Sequence, residues 1–346
     1  MGTTSRGGGK VSRGAAALAL GACLQVCLAR AEDPPAARAG PKVSSRGIDV
    51  GGVTRTFHQR LPSAYDGKAV LPAVIVLHGG FGSGRQLVTL DWTGFAALGE
   101  REGFIVAYPE GLDQHWNDGR DDATRLGGAR GADDVAFLAA LIEHLVGVDR
   151  ADPRRVYVAG VSNGGIMAHR AANELSDRIA AIAPVAGSLP EAYLPRFAPK
   201  APVSVIAFHG TDDKAVLFGG GLVAGEGGGR TIPVRDTLAR WAQADGCPPQ
   251  PKQASLPDRD PGDGCRVRSE TWGPGRDGTE VVLYVIEGGG HNWPGGPTPR
   301  RPILGQMTRD LQATPMIWEF FKGHPKPAHT PTPAGPAAPA PGVRSR

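Results

Sequence analysis

Six short, almost uninterrupted apolar runs punctuate the chain: Ala73 to Leu77, Phe104 to Tyr108, Val156 to Ala159, Ile179 to Val185, Val203 to Phe208 and Val281 to Ile286. A strand that buries one face alternates apolar and polar residues, whereas a continuous run of this length reads as a strand buried on both. Between several runs the apolar positions recur at helical spacing. The clearest case is Asp133 to Leu145, where Asp133 and Asp134 are placed to cap a helix beginning near Val135. Ile166 to Ala172 reads as another helix. Strand alternating with helix predicts an α/β fold, a mainly parallel central sheet with helices on both faces. Ligands in such sheets bind at the carboxyl ends of the strands, so the residues that follow each run are where chemistry is sought.

Four of those positions carry chemistry-bearing residues. Val156 to Ala159 leads into Gly160-Val161-Ser162-Asn163-Gly164, a G-x-S-x-G turn between strand and helix. Such a nucleophile elbow holds its serine in a tight backbone conformation, and small residues on either side let strand and helix approach. The chain has 51 glycines in 346 residues, so the pentapeptide alone is a modest signal. A serine hydroxyl also needs a general base, and the base needs a carboxylate to fix its tautomer. Asp213 and His291 follow later strands, in the chain order Ser162, Asp213, His291. This is the order of α/β-hydrolases rather than of chymotrypsin-like or subtilisin-like enzymes. Asp212 is the competing carboxylate, and the H-G-x-x-D-x-x-V pattern of His209 to Val216 favours Asp213. His78-Gly79-Gly80-Phe81-Gly82 has the form of an oxyanion loop. The backbone N–H of Asn163 supplies one donor there and that of Gly80 or Phe81 the other, while His78 reads as a structural hydrogen-bonding residue at the loop base. No Lys-Ser/Thr follows these glycines, which argues against a phosphate loop.

The ends have a different character. Arg6, Lys10 and Arg13 precede an apolar stretch from Gly14 to Ala29, which reads as an export signal spanning 1–31. A second processing pattern, Leu20-Gly21-Ala22-Cys23, would instead leave a lipid anchor at Cys23; the apolar residues beyond that cysteine favour simple export to a secreted or periplasmic location. The run is too short for a membrane span, which needs about 20 apolar residues. Residues 32–44 read as a flexible lead, 45–323 as one catalytic domain, and 324–346, rich in Pro and Ala, as a disordered tail. The net charge is +4, with the basic residues scattered, so nucleic-acid binding has no support. In an exported chain Cys247 and Cys265, bracketing a Pro-, Asp- and Gly-rich loop, are expected to form a disulfide, with two unpaired thiols as the alternative. No metal-binding spacing is present. The glycine-rich residues 217–230 read as a mobile loop after the acid, shaping substrate access, or equally as an irregular surface connection.

Taken together, Gly160 to His169, Asp152 to Val158, Trp116-Asn117-Asp118-Gly119, Asp133 to Leu138, Ala183 to Gly187 and Gly290-His291-Asn292-Trp293-Pro294-Gly295-Gly296 resemble the polyhydroxybutyrate-depolymerase-like esterases, relatives of the feruloyl and acetylxylan esterases. The resemblance runs from about residue 45 to 322. It implies an α/β-hydrolase fold, secretion, no metal or organic cofactor, and ester hydrolysis through a seryl acyl-enzyme by Ser162, Asp213 and His291. It also puts Trp116 and Trp293 beside the substrate, with packing of the loops by both indoles as the alternative. Polymer-degrading members usually carry a separate surface-binding domain, so a short tail points to soluble hydroxyalkanoate oligomers or to feruloyl or acetyl esters of polysaccharide. The readings in competition are a serine peptidase of the same fold and a non-catalytic exported binding protein.

Overall fold

The computed structural model describes residues 42–120, 131–224, 228–296 and 304–328. The expected export signal, the lipid-anchor position Cys23 and residues 329–346 of the expected tail lie outside the described residues. The described chain forms strands β1 (Lys42–Val50), β2 (Val53–Leu61), β3 (Leu71–Leu77), β4 (Ile105–Pro109), β5 (Ala151–Val161), β6 (Ala181–Val185), β7 (Ser204–Gly210), β8 (Gly221–Leu222), β9 (Arg230–Thr231), β10 (Lys252–Ser255), β11 (Arg266–Trp272) and β12 (Val281–Glu287). Its helices are α1 (Gly84–Leu90), α2 (Phe95–Glu102), α3 (Asp134–Gly147), α4 (Asn163–Glu174), α5 (Val234–Asp245) and α6 (Ala313–Gly323).

Ten strands form one sheet in the order β1-β2-β4-β3-β5-β6-β7-β12-β11-β10. From β4 through β12 every neighbouring pair is parallel, and antiparallel strands flank that block on both sides. The six apolar runs of the sequence are these parallel strands. Their side chains alternate between two cores: Ala73, Ile75 and Leu77 of β3 face one, Val74 and Val76 the other. Helices α3, α4 and α5 cover the first face; α1, α2 and α6 cover the second. Ring stacking pins α6 to its face, Trp318 on Phe104 with centroids 4.0 Å apart and Phe321 on Tyr157 at 4.6 Å.

Asp133 caps α3 by accepting the Ala136 N–H at 2.9 Å. Asp134 does not share that role. It is buried, pairs with Arg55 of β2 at 2.6 Å and accepts the Asn117 N–H at 2.7 Å. The first strand begins at Lys42, ahead of the expected domain start, and the chain beyond α6 stays bound: the Lys326 N–H donates to the Arg154 carbonyl at 2.8 Å and Arg154 Nε returns a bond to the Lys326 carbonyl at 2.8 Å.

The expected Cys247–Cys265 disulfide is not formed. Cys247 follows α5 and packs against the core on one face of the sheet, whereas Cys265 is buried in the core of the other. The sheet lies between them, and a disulfide requires Cα atoms within about 7 Å. The Cys265 thiol lies instead 3.8 Å from the Asp263 carbonyl.

Candidate active site

At the carboxyl end of β5 the chain turns sharply into α4. Ser162 sits at that turn with φ 56° and ψ −123°, a conformation that is sparsely populated for a residue bearing a side chain. Its N–H is held by the Val185 carbonyl at 2.9 Å. The flanking glycines are required by contact distance: a Cβ on Gly160 would lie 2.3 Å from the Gly164 carbonyl oxygen, and one on Gly164 would lie 2.4 Å from the His78 carbonyl oxygen. Strand, helix and oxyanion loop therefore meet backbone to backbone around the serine.

Asp213 and His291 come together from separate strand ends. His291 Nδ1 is 2.7 Å from Asp213 Oδ2, while Asp213 Oδ1 accepts the N–H groups of Ala215 at 2.8 Å and Val216 at 2.9 Å. The two loops approach closely through glycines, since a Cβ on Gly210 would fall 2.1 Å from the Gly289 carbonyl oxygen. Burial pushes the Asp213 carboxyl pKa up, but hydrogen bonds from His209 and His291 outweigh it and hold the group well below the usual carboxylate range. Asp212, by contrast, points to Thr211 at the surface. Because an ionised Asp213 only accepts, His291 Nδ1 carries the proton and Nε2 presents a lone pair, as a general base requires. The Ser162 hydroxyl makes no hydrogen bond to His291 in this structure. Such contacts are commonly loose without substrate and tighten in the reacting complex.

The oxyanion loop keeps part of its expected role. His78 is buried, its Nε2 accepts the Gly111 N–H at 3.0 Å, and its Nδ1 therefore donates to the Gly79 carbonyl at 2.8 Å. Burial lowers its pKa and keeps the ring neutral, as a structural residue at the loop base should be. Phe81 has to be withdrawn as an oxyanion donor, because its N–H is engaged by the Gln114 carbonyl at 3.0 Å. The N–H groups of Gly80 and Asn163 have no hydrogen-bond acceptor among the described residues, so this pair remains available.

Both tryptophans are corrected. Trp116 has no exposed surface, and its indole N–H donates to the His78 carbonyl at 2.9 Å. Trp293 is 4% exposed, donates to Thr314 Oγ1 at 2.9 Å and packs edge-on against Phe95 and Trp92. Neither indole lines a substrate surface; both hold loops.

What the sequence reading missed is the polar network behind the nucleophile. The Asn163 side chain accepts the Trp116 N–H at 2.7 Å and donates to the Trp116 carbonyl at 3.0 Å and to Asp118 Oδ2 at 2.6 Å. Asp118 in turn holds Arg120 at 2.8 Å, both side chains buried, and Arg120 reaches the Gly228 carbonyl at 3.3 Å beside the small β8–β9 pair. The Trp116-Asn117-Asp118-Gly119 run was the available signal, but spacing alone could not tie it to the variable position of the elbow. Within the expected mobile loop, residues 225–227 lie outside the described residues, and Gly221–Leu222 pairs with Arg230–Thr231. A cavity of about 700 Å³ at the amino ends of β5, β6 and β7, lined in part by Pro153, Pro202, Ser204 and Lys326, contains none of the three candidate catalytic residues. Among the described residues, no group of three His, Cys, Asp or Glu side chains is disposed to hold a metal ion, and no helix is long and apolar enough to cross a membrane.

Residues 60–192 match the family model described as Esterase PHB depolymerase. The chain is 31% identical over 293 residues to "Putative esterase NocK" of Nocardia uniformis subsp. tsuyamanensis, covering 81% of this chain and 83% of that protein. It is 32% identical over 240 residues to Feruloyl esterase B of Piromyces equi, covering 67% of this chain but only 41% of that longer protein. The fold is similar to that of acetyl xylan esterase from Aspergillus awamori, with a TM-score of 0.54 at 16% identity, over 81% of this chain and 99% of that one. With its parallel sheet covered on both faces and its strand-end Ser, Asp and His, the chain is an α/β-hydrolase that belongs to the PHB-depolymerase family of carboxylic ester hydrolases.

Proposed function

We propose that this protein is an exported serine esterase that cleaves feruloyl, acetyl or hydroxyalkanoate esters of soluble, oligomeric or polysaccharide-linked substrates through a seryl acyl-enzyme. The observation that carries the reading is the 2.7 Å contact between His291 Nδ1 and Asp213 Oδ2, on the loops that follow β12 and β7 at the same carboxyl edge of the sheet as the strained Ser162 turn after β5. In this scheme His291 Nε2 takes the Ser162 hydroxyl proton as the oxygen attacks the ester carbonyl, and the N–H groups of Asn163 and Gly80 stabilise the resulting oxyanion. Losing one such donor typically costs about 10² to 10³ in rate. Collapse expels the alcohol, which leaves with the proton from His291. Water then attacks the acyl-enzyme, again losing its proton to His291, and collapse returns that proton to the Ser162 oxygen as the carboxylic acid departs. Asp213, ionised throughout, stabilises the imidazolium and fixes its tautomer.

Export rests on the basic and apolar pattern of the first 31 residues. The substrate range rests on the names of the relatives, Feruloyl esterase B and Bifunctional acetylxylan esterase/xylanase XynS20E among them. The test is Ser162→Ala, which should abolish turnover of methyl ferulate, acetylated xylan, hydroxybutyrate oligomers and short p-nitrophenyl esters while leaving the fold intact. Retention of more than a few per cent of activity on the preferred ester would exclude Ser162 as the nucleophile.

A further inference from the structure

Phe81 is 63% exposed, although His78 at the base of the same loop is buried and Gly79 approaches the nucleophile. Its backbone is left-handed at φ 59°, where glycine sits freely and a bulky residue does not. The facing loop repeats the anomaly, with Asp113 at φ 48° and Gln114 at φ 61°, and it is the Gln114 carbonyl that takes the Phe81 N–H. Non-glycine strain persists where the surrounding structure enforces it, and it gathers at functional sites. The facing loop is anchored to the site on either side of this pair: Gly111 N–H to His78 Nε2 at 3.0 Å, Trp116 N–H to Asn163 Oδ1 at 2.7 Å. Between those anchors His115 meets Phe81 edge to face, with centroids 4.7 Å apart and planes at 81°. A T-shaped pair occupies at most one face of the phenyl ring, and the 63% exposure of the residue leaves apolar surface open to solvent. The serine is close by, since a Cβ on Gly79, two residues earlier, would lie 3.3 Å from Ser162 Cβ.

We propose that Phe81 is a specificity-determining residue whose open face stacks on a flat ring of the ester, either the aryl ring of a hydroxycinnamoyl acyl group or the pyranose of a sugar alcohol, with His115 bracing it from the side. The inference rests on the esterase reading above. A ring lying on Phe81 gains contact next to the oxyanion donors; an open-chain hydroxyalkanoate has no ring to place there.

The experiment compares Phe81→Ala, Phe81→Gly and Phe81→Tyr with the unaltered protein on methyl ferulate, acetylated xylobiose and methyl 3-hydroxybutyrate. Aromatic pairing of ordinary strength corresponds to about two- to twelvefold in affinity. Phe81→Ala and Phe81→Gly should raise KM for a ring-bearing ester by about that factor relative to methyl 3-hydroxybutyrate, with kcat little changed, and Phe81→Tyr should restore it. Methyl ferulate carries its ring on the acyl side and acetylated xylobiose on the alcohol side, so the ester that responds identifies the ring. Equal losses on all three esters, recovery in Phe81→Gly, or no loss at all would each overturn the proposal, because the loop backbone rather than the ring would then matter. If the unaltered protein turns over none of the esters, the esterase reading fails separately. Calorimetric binding of ferulate and xylobiose to Ser162→Ala and to Ser162→Ala/Phe81→Ala then decides the ring platform: weaker binding by the double variant sustains it, equal binding by the two overturns it.

Discussion

Replacing Asp213 with Asn changes one atom and should remove nearly all activity. The Asp213 Oδ1 position receives two backbone N–H groups, from Ala215 and Val216, and Oδ2 receives His291 Nδ1. The single carbonyl oxygen of asparagine can serve only one of these positions. Turning its NH2 toward the two backbone donors would forfeit two hydrogen bonds of about 0.5–1.5 kcal/mol each and leave buried N–H groups unsatisfied, at about 1–3 kcal/mol apiece. The oxygen therefore stays with the backbone and the NH2 faces His291. His291 Nδ1 must then accept, its proton moves to Nε2, and no lone pair remains for the Ser162 proton. The same error of tautomer in a serine protease triad lowers kcat by about 10⁴, or about 5.4 kcal/mol of barrier at 1.36 kcal/mol per decade. The assay is kcat on a short p-nitrophenyl ester at mildly alkaline pH, with a thermal melt to verify folding and Asp212→Asn as a control expected to stay within about twofold. A folded Asp213→Asn protein that loses less than tenfold would refute the assignment of the orienting carboxylate. Stability carries a pH signature too: because the folded carboxyl lies below its unfolded value, Asp213 stabilises the fold above the ordinary aspartate range and that contribution drains away as the pH falls below about 4.

Trp293→Phe should lower the melting temperature, by loss of the Thr314 hydrogen bond at about 0.5–1.5 kcal/mol and of part of the core packing, and leave KM unchanged for every ester; a raised KM with an unchanged melt would return the indole to the substrate surface. Two buried groups predict opposing pH effects. Burial draws the His169 imidazole down to about 3, so its contribution is complete above the unfolded value and is lost as the pH falls below about 6.5. Burial pushes the Asp245 carboxyl up to about 7, so its contribution is complete below about 4 and is lost as the pH rises through about 7. Asp245→Asn removes one of the opposing slopes, and the urea midpoint should then fall more steeply between pH 7 and pH 5 than in the parent; parallel curves would count against both assignments.

The parallel strands were legible because burial on both faces writes itself as a continuous apolar run. The antiparallel margins were not. β2 carries Arg55, His58 and Gln59 inward, and they are tolerated there because Asp134, Glu110 and Asp149 meet them from elsewhere in the chain. The Ser, Asp and His positions could be read because each follows a strand and the topology gathers strand ends. The fate of a backbone N–H could not: Phe81 looked as good a donor as Gly80 until Gln114, 33 residues on, was found against it. The tryptophans and the cysteines failed for a related reason. Their residue types suggested partners, but which face of the sheet each one served was a property of the folded chain alone.

The buried Arg120 sets a rule for anyone grafting a new hairpin onto this scaffold. Its guanidinium is fixed by Asp118, itself bonded to Asn163, and it reaches the Gly228 carbonyl. A Cβ on Gly229, already left-handed at φ 74°, would fall 2.7 Å from the arginine Cβ. A transplanted segment that lacks glycine there would push on the arginine, and through Asp118 on the residue beside the nucleophile. Exchanging residues 217–231 to change substrate range is thus also a change to the elbow, and libraries of such exchanges should carry positions 118 and 120 along with the hairpin.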